Sequence, residues 1–318
     1  MALLNPQLFL LLAPSVVVAT ECAPSLIYPE RRAEWAALDR LRAARRMVVW
    51  LQDLQEPEVG RLDPDILVVD YSWDGSEARE LTPVDVERLR RRPAGPPRIV
   101  LAYLSIGEAE DYRFYWPELS KNRGVLGPSN RSWRGNYLVR YWEPLWRRLV
   151  IRDARSYLNR ILSQGFDGVF LDMVDAAESW EARGVADAAA RMADLVREIA
   201  RSAHAARPGF LVVAQNPFRI LEEPGVLDSL SGISVESYLF PPGGKVAASQ
   251  REAIFRTLAK VRSKGRQVLA IEYPRTASER DRFFEVCEQN RLVCYAGTRR
   301  LDRAGWIPPT GPRKETDR

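Results

Sequence analysis

The feature that most constrains this chain is a run of eight short, β-branched apolar segments, each separated from the next by sequence that reads mostly as helix. They are Met47–Leu51, Ile66–Asp70, Ile99–Leu104, Gly168–Asp172, Phe210–Ala214, Gly232–Glu236, Gln267–Glu272 and Leu292–Ala296. Nearly continuous apolar character, without polar alternation, marks strands buried on both faces, as in a parallel sheet. Between the segments, Thr82-Pro83 has the cap-then-proline signature of a helix start, and Ile151 to Gln164 reads as a helix ended by Gly165. Val185, Ala188, Ala189, Met192, Leu195, Val196 and Ile199 trace one helical face. Ile254, Leu258 and Val261 mark a helix closed by Gly265, and Phe283, Phe284 and Val286 another. Strands alternating with helices make an α/β fold. Eight of them, with no GxGxxG fingerprint, favour a closed (β/α)8 TIM barrel over an open doubly wound sheet.

The length of 318 residues fits one such domain with extensions. The expected organisation is a signal peptide over residues 1–22, a barrel over 30–298 and an irregular tail rich in Pro, Gly and charge over 299–318. The apolar run Leu8 to Ala19 is shorter than the ~20 residues of a membrane span and ends in small residues suited to signal cleavage. Export to a secreted or periplasmic location is therefore expected, with no stable membrane span after removal of the signal. Of three cysteines, Cys22 lies beside the expected cleavage point, while Cys287 and Cys294 could pair in an oxidising compartment. The sequence does not decide between a disulfide and two buried thiols. A helix over Glu30 to Arg46, with Trp35, Leu38 and Leu41 on one face, could fill the gap left by a missing helix after strand eight. Gly107 to Gln164 reads as a large loop over one face, helical only at its end, and long loops are seldom kept without a role.

Several function classes are excluded or disfavoured. The net charge of +5 comes from 47 basic and 42 acidic residues, intermixed along helices in the manner of solvated surface, so no nucleic-acid partner is expected. His204 is the single histidine, which removes multi-histidine metal sites and weighs against histidine-based nucleophilic triads. No phosphate-binding glycine loop is present and no cofactor or metal is expected. No lysine lies in any strand segment, which counts against a Schiff-base aldolase or lyase.

In barrels of this type chemistry sits where the strands end. The successive ends carry Asp70-Tyr71, Glu108 to Tyr112, Asp172 with Asp175, Gln215-Asn216, Glu236 with Tyr238, and Glu272-Tyr273. A carboxylate straight after an apolar run is costly unless paired or used. Several on one rim suit acid–base work on a glycosidic bond, which needs two carboxyl groups flanking it. Asp172 and Glu236 are the expected pair, with Asp172 as nucleophile and Glu236 as acid/base if configuration is retained. Glu108, Asp175 and Glu272 compete for the role. Asp70, Tyr71, Glu108, Tyr112, Trp116, Asp175, Asn216, Tyr238 and Glu272 are the expected substrate-binding set. The aromatic segment from Tyr112 to Trp146 offers flat faces for sugar rings, although Trp142 and Trp146 are as readily read as internal packing.

Three stretches carry a family resemblance. They are Leu104-Ser-Ile-Gly-Glu-Ala-Glu-Asp-Tyr-Arg-Phe-Tyr-Trp116, Gly135-Asn-Tyr-Leu-Val-Arg-Tyr-Trp142 and Gly165-Phe-Asp-Gly-Val-Phe-Leu-Asp-Met-Val-Asp175. With them the region from Met47 to Gly297 resembles glycoside hydrolase family 114, which includes endo-α-1,4-polygalactosaminidases. The resemblance implies a (β/α)8 barrel, a catalytic Asp after strand four and a Glu after strand six, at Asp172 and Glu236 here. A glycosidase acting on an amino-sugar polysaccharide is the leading expectation, with a polysaccharide or oligosaccharide as partner. A barrel that binds carbohydrate without turnover is the alternative. Release of reducing ends separates the two.

Overall fold

The computed structural model describes residues 29–240 and 246–306. The expected signal peptide, Cys22 and the last twelve residues of the expected tail lie outside them. Eight strands form one parallel sheet in sequential order. We label them β1 (Met47–Trp50), β2 (Ile66–Val69), β3 (Ile99–Ser105), β4 (Gly168–Asp172), β5 (Leu211–Gln215), β6 (Gly232–Glu236), β7 (Gln267–Glu272) and β8 (Val293–Ala296). A parallel bridge between Arg46 and Cys294 brings the two edges together, and the sheet is a (β/α)8 barrel. Burial explains the continuous apolar runs: every residue of β1, β2, β3, β5, β7 and β8 is buried.

Local signals place the helices. At Pro83–Arg90 the Thr82 side chain and Asp85 cap each other reciprocally, satisfying amides the helix start leaves open. Tyr157–Gln164 ends at Gly165, whose φ of 85° is the left-handed conformation a helix stop requires. That helix is shorter than its apolar pattern suggested, because Arg148–Arg152 adopts a wider π-helical turn before it. In Ala188–Ala206 the residues Met192, Leu195, Val196 and Ile199 are all buried. Burial of such side chains contributes ~1.5–3 kcal/mol each before entropy is counted. Cys287 and Cys294 form a disulfide that ties the helix Ala277–Asn290 to β8. Among the described residues no helix is long and apolar enough to cross a membrane.

Two expectations change. The helix Pro29–Ala43 exists, but it does not take the place of a helix after β8. Its C-terminal end meets the first residue of β7, where Gln267 donates to the Leu41 carbonyl (2.9 Å), and Arg42 reaches Gly265 (2.8 Å). It therefore lies across the end of the barrel where strands begin. Leu38 and Leu41 are buried there, whereas Trp35 is exposed. The space between β8 and β1 is instead crossed by Thr298 to Trp306. Leu301 accepts from the amides of Leu51 and Gln52, and Trp306 packs on Phe284.

The second change concerns the segment after β3. It is no irregular loop but a three-stranded antiparallel sheet: Glu108–Glu110, Asn136–Val139 and Leu126–Ser129 in spatial order. Buried aromatics nail it to the barrel. The Trp146 indole donates to the Ile106 carbonyl (2.9 Å), Trp180 to Val139 (2.8 Å) and the Tyr141 hydroxyl to Ala188 (2.8 Å).

Candidate active site at the strand ends

Register decides which side chains meet. Ser105 is level with Asp172, Gln215 with Ser234, and Glu236 with Ile271. Level residues in a parallel pair share a face, and alternate residues along a strand share it too. Tyr103, Asp172, Gln215, Glu236 and Tyr273 therefore line one side of the wall, and Glu272 points to the other. The hydrogen bonds agree. The Tyr103 hydroxyl donates to Asp172 (2.8 Å). Glu236 accepts from the Tyr273 hydroxyl through one oxygen and from the Gln215 amide through the other.

The backbone at this rim is unusual. The residues that follow Asp172, Gln215 and Glu236 are Met173, Asn216 and Ser237, with φ of 59°, 46° and 58°. Left-handed non-glycine residues cost energy and concentrate where geometry is functional. Here three adjacent strands each turn sharply just past the residue that contributes to the cluster.

Electrostatics separate the acids. Glu236 is pushed up to about 7 by burial and by the charges of Asp172 and Asp175, against the Tyr273 hydrogen bond and the charge of Arg299. Asp175 is pushed up to about 7 by burial, Asp172 and Glu178, opposed by a hydrogen bond from Asn216. Burial also raises Asp172, while the Met173 amide and the Tyr103 hydroxyl favour its charged form. Glu108 is raised by burial and opposed by amide donation from Asn130 (2.9 Å) and Asn136, both of the inserted sheet.

The remaining expected site residues are placed as follows. Asp70 is buried and gripped at both oxygens by Arg113 (2.8 and 2.6 Å), which also binds Glu110 (2.6 Å). Both oxygens of Glu272 are directed at backbone amides, and it accepts from Leu239 (2.8 Å). Tyr71 is fully buried, edge-on to Tyr157. Tyr238 is buried against Phe255. Trp116 stacks on Tyr137 (5.0 Å between centroids). Tyr137 is level with Ala109, so it points away from the face shared by Glu108 and Glu110. Tyr112 is 46% exposed and donates to Glu110 (2.7 Å). The Glu236 amide donates to the Asn216 side chain (2.9 Å). Asp172, Asp175, Glu236, Asn216 and Glu108 are thus brought together. Asp70, Tyr71, Tyr238 and Glu272 serve the surrounding framework.

Sequence reasoning missed Tyr103, and it read Gln215 and Tyr273 at strand ends without placing them in the site. Tyr103 sits inside an apolar run, where a tyrosine reads as core. Its signal is the period of two from Ser105. Gln215 and Tyr273 stand beside residues that were chosen, Asn216 and Glu272, and only register tells neighbours apart.

The profile of glycoside-hydrolase family GH114 matches residues 54–307. An uncharacterized protein of Thermotoga maritima is 32% identical over 270 residues, covering 80% of this chain and 81% of its own. An uncharacterized protein of Methanocaldococcus jannaschii is 35% identical over 231 residues, 70% of this chain and 64% of that protein. Among solved structures, the glycoside hydrolase domain of PelA from Pseudomonas aeruginosa superposes with a TM-score of 0.61 at 21% identity. It covers 83% of this chain and 98% of that domain.

Proposed function

The chain belongs to glycoside-hydrolase family GH114 and is a glycoside hydrolase, and from that premise we propose that it cleaves an amino-sugar polysaccharide by a two-carboxylate mechanism, α-1,4-linked galactosamine being the first polymer to test. The observation that carries the reading is Glu236: a carboxyl held near 7 beside Asp172, each oxygen fixed by a neutral donor. An acid must be protonated near working pH yet able to release its proton, and a group near 7 does both. Asp172 is also raised by burial, but it accepts the Tyr103 hydroxyl (2.8 Å), a donor that favours its charged form and suits the nucleophile role.

In the proposed cycle Glu236 gives its proton to the glycosidic oxygen as the carbon–oxygen bond breaks. Asp172 bonds to the freed anomeric carbon. Water, deprotonated by Glu236, then displaces Asp172 and restores both groups. Tyr103 and Tyr273 orient the two acids. Both phenols are pushed far up by burial and neighbouring negative charge, so they remain donors throughout. The expected addressing is to the outside of the cytoplasmic membrane, where a polysaccharide of this kind would be met. The test is release of reducing ends from de-N-acetylated galactosamine polymer. Activity should be present in the parent protein and lost by orders of magnitude in Glu236→Gln and Asp172→Asn. Near-normal turnover by Glu236→Gln would remove the assignment.

A further inference from the structure

Exposed aromatic rings are unevenly placed on this molecule. Among the described residues the large exposed aromatics are Trp35, Tyr112 and Trp133. Trp35 lies on the helix Pro29–Ala43, across the end of the barrel where strands begin. Tyr112 and Trp133 belong to the insert at the other end. They also lie at one end of its sheet. Glu110 is level with Asn136, and just past that pair the Asp111 amide donates to the Gly135 carbonyl (2.9 Å). The segments that carry the two rings therefore leave the sheet side by side.

Both residues are tethered. The Tyr112 hydroxyl donates to Glu110 (2.7 Å), and the Arg113 guanidinium lies over the ring, 4.8 Å from its centroid. Arg113 is itself buried and gripped by Asp70 past β2. The ring edge rests on Gly75, where a Cβ would stand 2.5 Å from it. Tyr112 thus cannot swing aside, yet it stays 46% exposed. Trp133 is held through Asn130. The Asn130 amide nitrogen donates to both oxygens of Glu108 (2.9 and 3.2 Å), and its oxygen accepts the Ser132 and Trp133 amides (2.9 and 3.2 Å). The Trp133 carbonyl accepts from Asn136 (3.2 Å). Glu108 in turn is tied to the catalytic rim, because its carbonyl accepts the hydroxyl of Ser105, which is level with Asp172. A continuous line of hydrogen bonds and paired backbone runs from Asp172 through Glu108 and Asn130 to Trp133.

We propose that Tyr112 and Trp133 are a second saccharide subsite, two aromatic platforms that stack on sugar units of the same chain beyond the bond being cleaved. The proposal rests on the reading of the protein as a glycosidase acting on a polysaccharide. An exposed ring gains the fold little, whereas a ring fixed before binding loses little entropy when a ligand covers it. Flat apolar faces with a polar edge suit the C–H face of a pyranose. Arg131 and Arg134 are exposed on either side of Trp133. The platforms therefore recognise the ring itself and not a cationic amine, which is left to the acids around Asp172. The substrate chain would run from the ends of β4 and β6 across β3 toward β2, where Arg113 anchors the insert.

The test is binding of a ladder of galactosamine oligosaccharides, from the disaccharide upward, by calorimetry. The full chain carries Asp172→Asn and Glu236→Gln, so that the ladder is not cut. Affinity should rise with length until the chain spans both sites. Trp133→Ala and Tyr112→Ala should each weaken the long oligomers about 5-fold or more, and the disaccharide less. Tyr112→Phe keeps the ring and should stay within about 2-fold of the parent at every length. It also guards against a Tyr112→Ala variant that merely loosens Arg113. Equal weakening at all lengths, or none at any length, would overturn the platforms. If only an N-acetylgalactosamine or glucosamine ladder binds, and shows the same length-dependent loss, the choice of galactosamine is overturned and the platforms stand. If no ladder binds, both fall.

Discussion

Tyr273 and Tyr103 touch one acid each, and their removal should have different signatures. The Tyr273 hydrogen bond favours the charged form of Glu236. Tyr273→Phe should therefore raise the Glu236 midpoint and move the basic limb of the pH profile upward. Tyr103→Phe removes a donor to Asp172 and should raise the acidic limb, where the nucleophile must be charged. Each loss of orientation should cost roughly 10-fold or more in kcat, by analogy with other positioned acid–base groups. Profiles that shift together, or not at all, would show that the phenols do not act on separate acids. The same pKa directions bear on stability. Glu236 and Asp175 titrate higher in the folded protein than as free carboxyls, so the native state binds more protons between about pH 4 and 7. Stability is fully present below that window and is lost as pH rises through it, and melting followed by circular dichroism should show a falling Tm. Asp175→Asn should flatten that fall. At this scale the sequence was informative where chemistry stands at a strand end, as with Asp172 and Glu236. It misled where adjacent residues face opposite ways. Ile271, Glu272 and Tyr273 form one continuous string until register shows that Tyr273 meets Glu236 while Glu272 anchors the turn beyond β6.

The eight barrel strands were legible as elements because a strand buried on both faces cannot hide its composition. The inserted sheet was not. Glu-Ala-Glu and Leu-Gly-Pro-Ser carry no β-branched residues, and at three and four residues neither is long enough for its pattern to mark a strand. The helix Pro29–Ala43 was legible as a helix but not in its position, since nothing in a local pattern says which end of a barrel it will cover. The join between insert and barrel gives a sharp test. The Ile106 amide donates to the Asp172 carbonyl (3.1 Å), so the chain leaves β3 pressed against the turn after Asp172. A Cβ at Gly107 would stand 2.1 Å from the Met173 carbonyl oxygen and 2.5 Å from the Ala176 Cβ. Backbone cannot yield that much without moving Met173, which is itself held left-handed. Gly107→Ala should lower activity at least 10-fold and stability by ~1–3 kcal/mol, the range for overpacking a tight site. Denaturant unfolding and kcat measured together check it, and a fully active, equally stable variant would show that the join is slack. Trp146→Phe, which removes the donor to Ile106, should cost ~1–3 kcal/mol through the unpaired carbonyl, with a smaller effect on kcat.

For the whole molecule the question is charge. The chain is basic, at +5, yet the rim around Asp172 is acidic. The sequence suggested eight acids at the mouth. The structure divides them: Asp70 and Glu110 are neutralised by Arg113, Glu272 is satisfied by amides and Asp111 is exposed, while Glu108, Asp172, Asp175 and Glu236 have no ion-pair partner among the described residues. Arg299 is exposed and close enough to Glu236 to favour its charged form, so the mouth is not free of positive charge. The acid excess is thus smaller than composition implied, but it is concentrated, and among the described residues no ion pair offsets it. Buried acids that repel one another bind either protons or a cation, and a cleft of one sign focuses potential on its ligand. An amino sugar brings the cation and a neutral N-acetyl sugar does not. We therefore predict that kcat/KM on fully de-N-acetylated hexosamine polymer exceeds that on the N-acetylated polymer by at least 10-fold, expressed mainly in KM. The advantage should shrink as salt rises from about 0.05 to 0.5 M, because exposed charges are screened over ~10 Å at 0.1 M. It should also shrink below about pH 6, where Asp175 and Glu236 are both protonated and the cleft loses charge. Equal activity on the N-acetylated polymer, or a preference indifferent to salt and pH, would place recognition in shape and hydrogen bonding rather than in charge.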